Sequence, residues 1–524
     1  MSTPLFIGIS FGTLNSSISV IGKDGEFETI ANEDGMRNIP SCVAFTSHDE
    51  LVGTQAKLQA IRNPRNTIVH FRNLLSRSFD SEDVKSHLKD HRLPIVSSPD
   101  DESAPVYEVD FWENPSDEPT KQYLSPKQIT TKYLEKMKST AEAYLGQKVD
   151  GCVLSTPTCF DDGQNLALEE AAKESGFDTV FLIKEPVAAA ISFSNESPKI
   201  DKLNLVLDLG GHNFNVTVLS SNKGLYSIVD TRDDNKLGGV QLDEVLVNLV
   251  VDEFKRKTKM NLRENRRSLL KLRNACEQTK RALSHREVAP CSIESLHEGI
   301  DHHGSINRSR FELQAEPLFK RCTALVMETL AANDLTANDI DEVFLVGGCS
   351  KIPRYQAFIQ SIFANSPDTR IRIESNPDEA ISKGCIAQAA IIIESGLDHY
   401  TAAYNDISLT TNVPHTTKSI GIADHNGDMV VLIAKETPIP VRRIVEFSNS
   451  IKNQKELYLA VYEGENKVAA KNALLAEIVV SDLTENLEVG EAKLEVTFTI
   501  EKDKILHVVA KEKKMGKTLK VIFK

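Results

Sequence analysis

Two stretches of this chain, about 200 residues apart, are written on one plan, and that duplication limits the folds open to it. LFIGIS leads through Phe11, a tight Gly12-Thr13 turn and Leu14-Asn15 into SSISVI; near residue 205, LNLVLDL runs into Gly210-Gly211 and then FNVTVL. Each reads as an apolar strand, a glycine turn and a second strand, which is a β-hairpin opening half of a repeated architecture with a site between the halves. A third glycine turn follows the strand Val343 to Val346, where Gly347-Gly348 precedes a helix after Pro353. Ligands of α/β folds bind at such C-terminal strand ends. Without a Cβ, the backbone N–H groups of these turns can approach phosphate oxygens closely. Three turns in series favour phosphate binding over plain turn chemistry.

Apolar residues at three- and four-residue spacing predict helices over Thr131 to Leu145 and Asn165 to Ser175, giving a mixed α/β domain. The five prolines and several acids of residues 80 to 122 predict a long, partly irregular surface excursion without catalytic residues. Dense Lys, Arg and Glu between Leu242 and Leu283 predict an exposed helical subdomain. Within it, Glu277, Lys280, Arg281 and Ser284 share one helix face, which suits either a nucleoside or plain solvent. From about Asn405 the pattern changes to short strands, with Leu494, Val496, Phe498 and Ile500 alternating with polar residues. A separate β domain of about 120 residues is expected there, joined by a polar segment from Tyr404 to Val413.

Composition excludes several classes. A net charge of −14 over 524 residues argues against direct nucleic-acid binding, which needs clustered cations. Eight scattered cysteines without a CxxC pair fit a reduced, intracellular chain with no zinc site. No signal peptide is legible, and the apolar run from Ile386 to Ile393 is too short for a membrane helix, so a cytoplasmic location without membrane contact is expected.

GISFGT, LIKEPVAAAIS, LDLGG, RNACEQTKRALS, FLVGGCSKIP and NPDEAISKG occur in the order found in the seventy-kilodalton heat-shock chaperone family, which this chain resembles from residue 5 to about 395. LYLAVYEGE and VTFTIEKDKILHV continue the resemblance more weakly. It implies an α/β actin-like two-lobed nucleotide-binding domain over 1–395, a linker at 396–413 and a small, truncated all-β sandwich domain over 414–524. The implied cofactor is ATP, with Mg2+. Its binding residues by family pattern are Gly12, Thr13 and Leu14 in the first phosphate loop, with Gly210, Gly211 and His212 in the second. Glu277, Lys280, Arg281 and Ser284 match the adenosine pocket, Gly347 and Gly348 the loop beneath the nucleotide, and Gly238, Gly239, Lys351 and Asp378 are further implied cofactor-binding positions. Glu185 and Asp208 would hold the metal weakly, through water.

Departures from the pattern shape the functional expectation. Ser10 stands where the family has an aspartate, Arg72 where it has lysine, and His212, Asn213 and Asn215 replace a glycine, a threonine and an aspartate. With positioning and metal electrostatics reduced, hydrolysis is expected to be absent or very weak while nucleotide binding remains. With VIFK directly following the last predicted strand, no counterpart of the family's helical lid is expected; the connection between Ile478 and Leu494 is short, and the linker near Asp406 to Leu409 lacks the usual leucines. This pattern resembles the branch of the family that pairs with the J-domain protein zuotin in the ribosome-associated complex. The resemblance implies a co-chaperone scaffold that stimulates another chaperone's ATPase, a heterodimer reaching the ribosome through its partner, and nascent polypeptide as a further ligand. The alternatives are an active ATP-hydrolysing foldase with an unorthodox site and, more remotely, a small-molecule kinase.

Overall fold

The structure is a computed structural model. It describes residues 4–91, 94–114, 117–193, 201–222, 225–395, 416–424, 426–435, 437, 439, 441–481, 489–490, 493–500, 505–512 and 518–523. The expected linker at 396–413, and part of the short connection between Ile478 and Leu494, lie outside the described residues. The chain divides into two compact units, residues 1–218 with 230–409, and residues 219–229 with 410–524.

Two sheets carry the duplication seen in the sequence. Strands β1 (Phe6–Ser10), β2 (Asn15–Ile21) and β3 (Phe27–Thr29) are joined in one sheet by β4 (Gly151–Thr156) and β5 (Thr179–Lys184), in the order β5-β4-β1-β2-β3. β1 pairs antiparallel with β2, Ser10 opposite Ser17, and parallel with β4, Phe6 opposite Gly151. A second sheet has the order β8-β7-β6-β9-β10, with β6 (Asp201–Leu209), β7 (Phe214–Asn222), β8 (Leu225–Asp234), β9 (Glu342–Val346) and β10 (Arg370–Ile373). β6 and β9 run parallel, Asp208 opposite Val346. Both sheets set three consecutive strands beside two that arrive later in the chain, and the Gly12 and Gly210-Gly211 turns occupy equivalent corners.

Helices α1 (Thr54–Gln59), α2 (Pro126–Leu145), α3 (Asp162–Glu174), α4 (Glu185–Ser192), α5 (Gly239–Thr258), α6 (Arg266–Leu283), α7 (Arg308–Ala332), α8 (Pro353–Ile362) and α9 (Ala380–Ser395) surround these sheets. α2 starts at a capping box in which Ser125 Oγ accepts from Gln128 N, and stops at Gly146 in the left-handed region. α4 and α9 pack so closely that a Cβ on Gly384 would lie 1.7 Å from Ala188 O. Phe6, Val153, Phe181, Ala188, Ile386 and Ala389 form the core there.

Two expectations need correction. Residues 80–122 are more ordered than their prolines suggest: they hold a helix, Glu82–His91, and three paired strands, Ile95–Ser97, Pro105–Phe111 and Thr120–Leu124. Pro105 opens its strand, where a missing N–H is tolerated, and Val106, Tyr107 and Val109 bury the apolar side chains that follow. The charged region from Leu242 to Leu283 is not simply exposed. It is two amphipathic helices, α5 ending at Lys259 with φ 65°, and its Leu242, Leu246, Val250, Phe254, Leu272 and Leu283 are buried.

In the smaller unit, eight strands follow the order β12-β11-β14-β15-β18-β17-β16-β13: β11 (Ile420–Ala423), β12 (Met429–Ile433), β13 (Val441–Ser448), β14 (Leu457–Glu463), β15 (Ala473–Ser481), β16 (Lys493–Ile500), β17 (Leu506–Glu512) and β18 (Thr518–Phe523). Leu494, Val496, Phe498 and Ile500 are buried as their alternation requires, and share a core with Ile433, Val461 and Ile478.

Candidate nucleotide site

The three glycine turns converge. A Cβ on Gly211 would lie 2.5 Å from Leu14 Cδ1, so the first and second turns touch. Gly347, at φ 83°, presses on the floor of the second, where its Cβ would meet Asp208 Oδ1 and Leu209 O at 2.5 Å. Gly12 is equally committed, with Asn15 O 2.1 Å from its absent Cβ. In the second turn, Gly210 N donates to Asn213 O at 3.1 Å, while Gly239 N and Val240 N donate to Gly210 O and Gly211 O. The N-terminus of α5 is thereby sewn to the second turn, its orphan amides partly consumed by it.

The floor carries the charge. Arg72 lies in a short helical turn, Phe71–Leu74, and is only 5% exposed. Its Nη1 donates to Glu185 Oε1 at 2.7 Å and also to Phe11 O, tying the first turn to the N-terminus of α4. Asp208 is the penultimate residue of β6, and Glu185 and Asp208 line one small cavity with Thr158, Asn215 and Thr217. Burial, and secondarily the negative charge of Glu185, raise the Asp208 pKa to about 7 against the pull of Arg72. Ser10 sits at the end of β1, and Asn213 Nδ2 donates to Asn215 Oδ1 at 3.3 Å.

The remaining expected residues fall around the same cleft, several in roles their spacing did not reveal. Lys280 is buried; its Nζ donates to Gly239 O and pairs with Asp243 Oδ1, both at 2.9 Å, so it braces α5. Burial lifts Asp243 to about 6 while Lys280 opposes the rise. Glu277 pairs with Arg281 at 2.8 Å and with Lys57 of α1 at 2.7 Å. Ser284 is the C-cap of α6. Beneath the third turn, Lys351 Nζ lies 2.7 Å from Asp378 Oδ1, and Asn38 Nδ2 donates to Asp378 Oδ2. Thr13 Oγ1 reaches Asn73 at 3.4 Å, and Gly238 packs on the His212 backbone. Asn38, Lys57 and Asp243 were missed by sequence reasoning, as was His70, whose ring lies 5.3 Å from that of His212. Their partners lie 340, 220, 37 and 142 residues away in sequence, beyond any local pattern.

These residues fit a nucleotide. Gly12, Gly211 and Gly347 present backbone that no side chain could share, and Lys280, Arg281 and Lys351 are each held by a carboxylate, of Asp243, Glu277 and Asp378. Among the described residues, no group of three or more His, Cys, Asp or Glu forms a metal cage. Asp208 and Glu185 instead suit a hydrated Mg2+ carried by phosphates, the usual arrangement for that ion.

Fold and cleft together define a phosphate-binding protein with a duplicated α/β unit and an appended β unit. The family model described as "Hsp70 protein" matches residues 6–524. Heat shock cognate 70 kDa protein 3 of Dictyostelium discoideum is 37% identical over 518 residues, 98% of this chain and 79% of the relative. Heat shock 70 kDa protein 2 of Paracoccidioides lutzii is 36% identical, over 98% of this chain and 76% of the relative. A ribosome-associated molecular chaperone of Nakaseomyces delphensis is 34% identical, over 98% of this chain and 81% of the relative. The chain belongs to the Hsp70 family, and the actin-like two-lobed ATPase domain followed by a β-sandwich is the architecture of that family.

This membership overturns the expectation that the protein is not an enzyme. Its relatives are heat shock 70 kDa proteins, from a family of ATPases, and none of the comparisons shows a loss of hydrolysis. The replaced residues Ser10, Asn213 and Asn215 pointed to lost chemistry, but two carboxylates, Glu185 and Asp208, remain and line one small cavity.

Proposed function

We propose that this chain is an ATP-hydrolysing chaperone that pairs with a zuotin-type J-domain protein, reaches the ribosome through that partner and acts on nascent chains in the cytosol. The observation that carries the nucleotide part is the convergence of three glycine turns over Glu185 and Asp208. The 34% identity to a ribosome-associated chaperone supports the ribosomal part.

Backbone amides of Gly12, Gly211 and Gly348 would bind phosphate, and Glu277, Arg281 and Ser284 would hold the nucleoside. Magnesium, when bound with ATP, supplies charge neutralisation at the phosphates. Arg72 orients the first turn by holding Phe11 O and Glu185 together. Asp208 shares a proton with solvent near neutrality, and a nearby cation would favour its carboxylate form. In the β unit, β12 and β13 end the strand order and expose Val430, Val431 and Ile444. Such edges suit strand addition by a partner segment.

A single-turnover assay tests the catalytic half. Bound ATP should be converted to ADP by the wild-type chain and far more slowly by Asp208→Asn. Equal rates in both would remove Asp208 from the chemistry. Purification from native cytosol tests the other half, since a J-domain protein and ribosomes should copurify. A chain recovered without either would overturn the ribosomal reading.

A further inference from the structure

His70 and His212 belong to the two halves of the duplicated unit. His70 follows the strand Thr67–Val69 on the side of β1, and His212 follows Gly211 on the side of β6. Their rings nonetheless meet, centroids 5.3 Å apart at an interplanar angle of 54°. Both rings have firm footings. Phe71, next to His70, packs into the buried ring cluster with Phe11 and Tyr133, and Arg72 beyond it is pinned to Phe11 O and Glu185. On the other side, the His212 backbone is pressed by Gly238, whose Cβ would lie 2.7 Å from His212 C. His70 also adopts φ 60°, a left-handed conformation uncommon for a residue other than glycine, so the fold holds this side chain in a backbone state most residues avoid. The contact adjoins the place where Leu14 meets Gly211, because His212 directly follows Gly211 in the chain.

We propose that His70 and His212 form a clasp across the cleft that slows the release of a nucleoside di- or triphosphate. Opening the halves enough to free a ligand held by the Gly12 and Gly211 turns separates the two rings, so the ring contact adds to the barrier for release. Neither histidine performs chemistry in this role; they are positioning residues. The proposal rests on the nucleotide reading of the cleft.

The test is release of a fluorescent ADP analogue from the full-length protein, chased with unlabelled ADP, in wild type, His70→Asn, His212→Gly, His212→Phe and the His70→Asn/His212→Gly double variant. Asn tolerates the left-handed backbone at position 70, and Gly fits at 212, so thermal melts should confirm folded variants. Loss of one aromatic contact should speed release about three- to tenfold in either single variant. The double variant should be no faster than the faster single one, and His212→Phe should restore slow release because it keeps a ring there. Single variants that release at the wild-type rate, or whose effects multiply in the double variant, would overturn the clasp while leaving nucleotide binding intact. Failure of the wild-type protein to take up the analogue would overturn the nucleotide reading, and the clasp with it.

Discussion

Removing a guanidinium and a carboxylate from water is costly for each, and their pairing repays the cost only while both are present. Arg72 and Glu185 are such a pair, 2.7 Å apart and nearly inaccessible. Glu185→Gln should therefore leave Arg72 as an uncompensated buried charge and lower unfolding free energy by about 3–5 kcal/mol, read from urea denaturation. An unchanged midpoint would mean the pair is solvated in solution. Asp208 gives a pH signature of known sign. Its folded pKa of about 7 stands above the ordinary carboxylate value of 3.8, so between those limits the folded state holds a proton that the unfolded chain has lost. Its stabilising contribution is full below about pH 4 and disappears as pH rises through 7, with a slope of at most about 1.4 kcal/mol per pH unit. Between pH 5 and pH 8, nucleotide-free wild type should lose more stability than Asp208→Asn, the excess being the share of Asp208, since Asp243, raised to about 6, contributes in both. The replaced residues Ser10, Arg72, His212, Asn213 and Asn215 were all legible as departures from a motif. What Arg72 does was not, because its partners Phe11 and Glu185 lie 61 and 113 residues away.

Between elements, legibility followed periodicity. The two glycine hairpins and the alternating β16 declared themselves because each confines its signal to adjacent residues and turns. Residues 80–122 did not, because prolines at strand openings look the same in sequence as prolines in loops. The contact of α4 with α9 is likewise silent in sequence, since neither Ala188 nor Gly384 announces a partner nearly 200 residues away. It is nonetheless unforgiving. Gly384→Ala places a methyl group 1.7 Å from a carbonyl oxygen of the facing helix, which has no side chain to move aside. Overpacking of this kind should cost about 3 kcal/mol or more, measured by thermal denaturation; a loss below about 1 kcal/mol would show that the helices separate freely.

At the scale of the whole molecule, the two compact units divide the labour proposed here, nucleotide in the larger and partner on the smaller. Deletion of residues 405–524 should weaken J-domain partner binding in a pull-down while ATP binding persists. Full-affinity partner binding by residues 1–395 alone would move the interface to the larger unit. Hsp70 membership was legible from motif order across almost the whole chain, yet the expectation of lost hydrolysis drawn from the set of replaced residues is overturned by that membership, since the replacements leave Glu185 and Asp208 in place. The claim on which the rest depends is that the three turns bind one nucleotide. Calorimetric titration of the full-length chain with ATP and Mg2+ tests it most directly: saturable binding of one ATP per chain, competed by ADP, is the predicted result, and absence of saturable binding would contradict it.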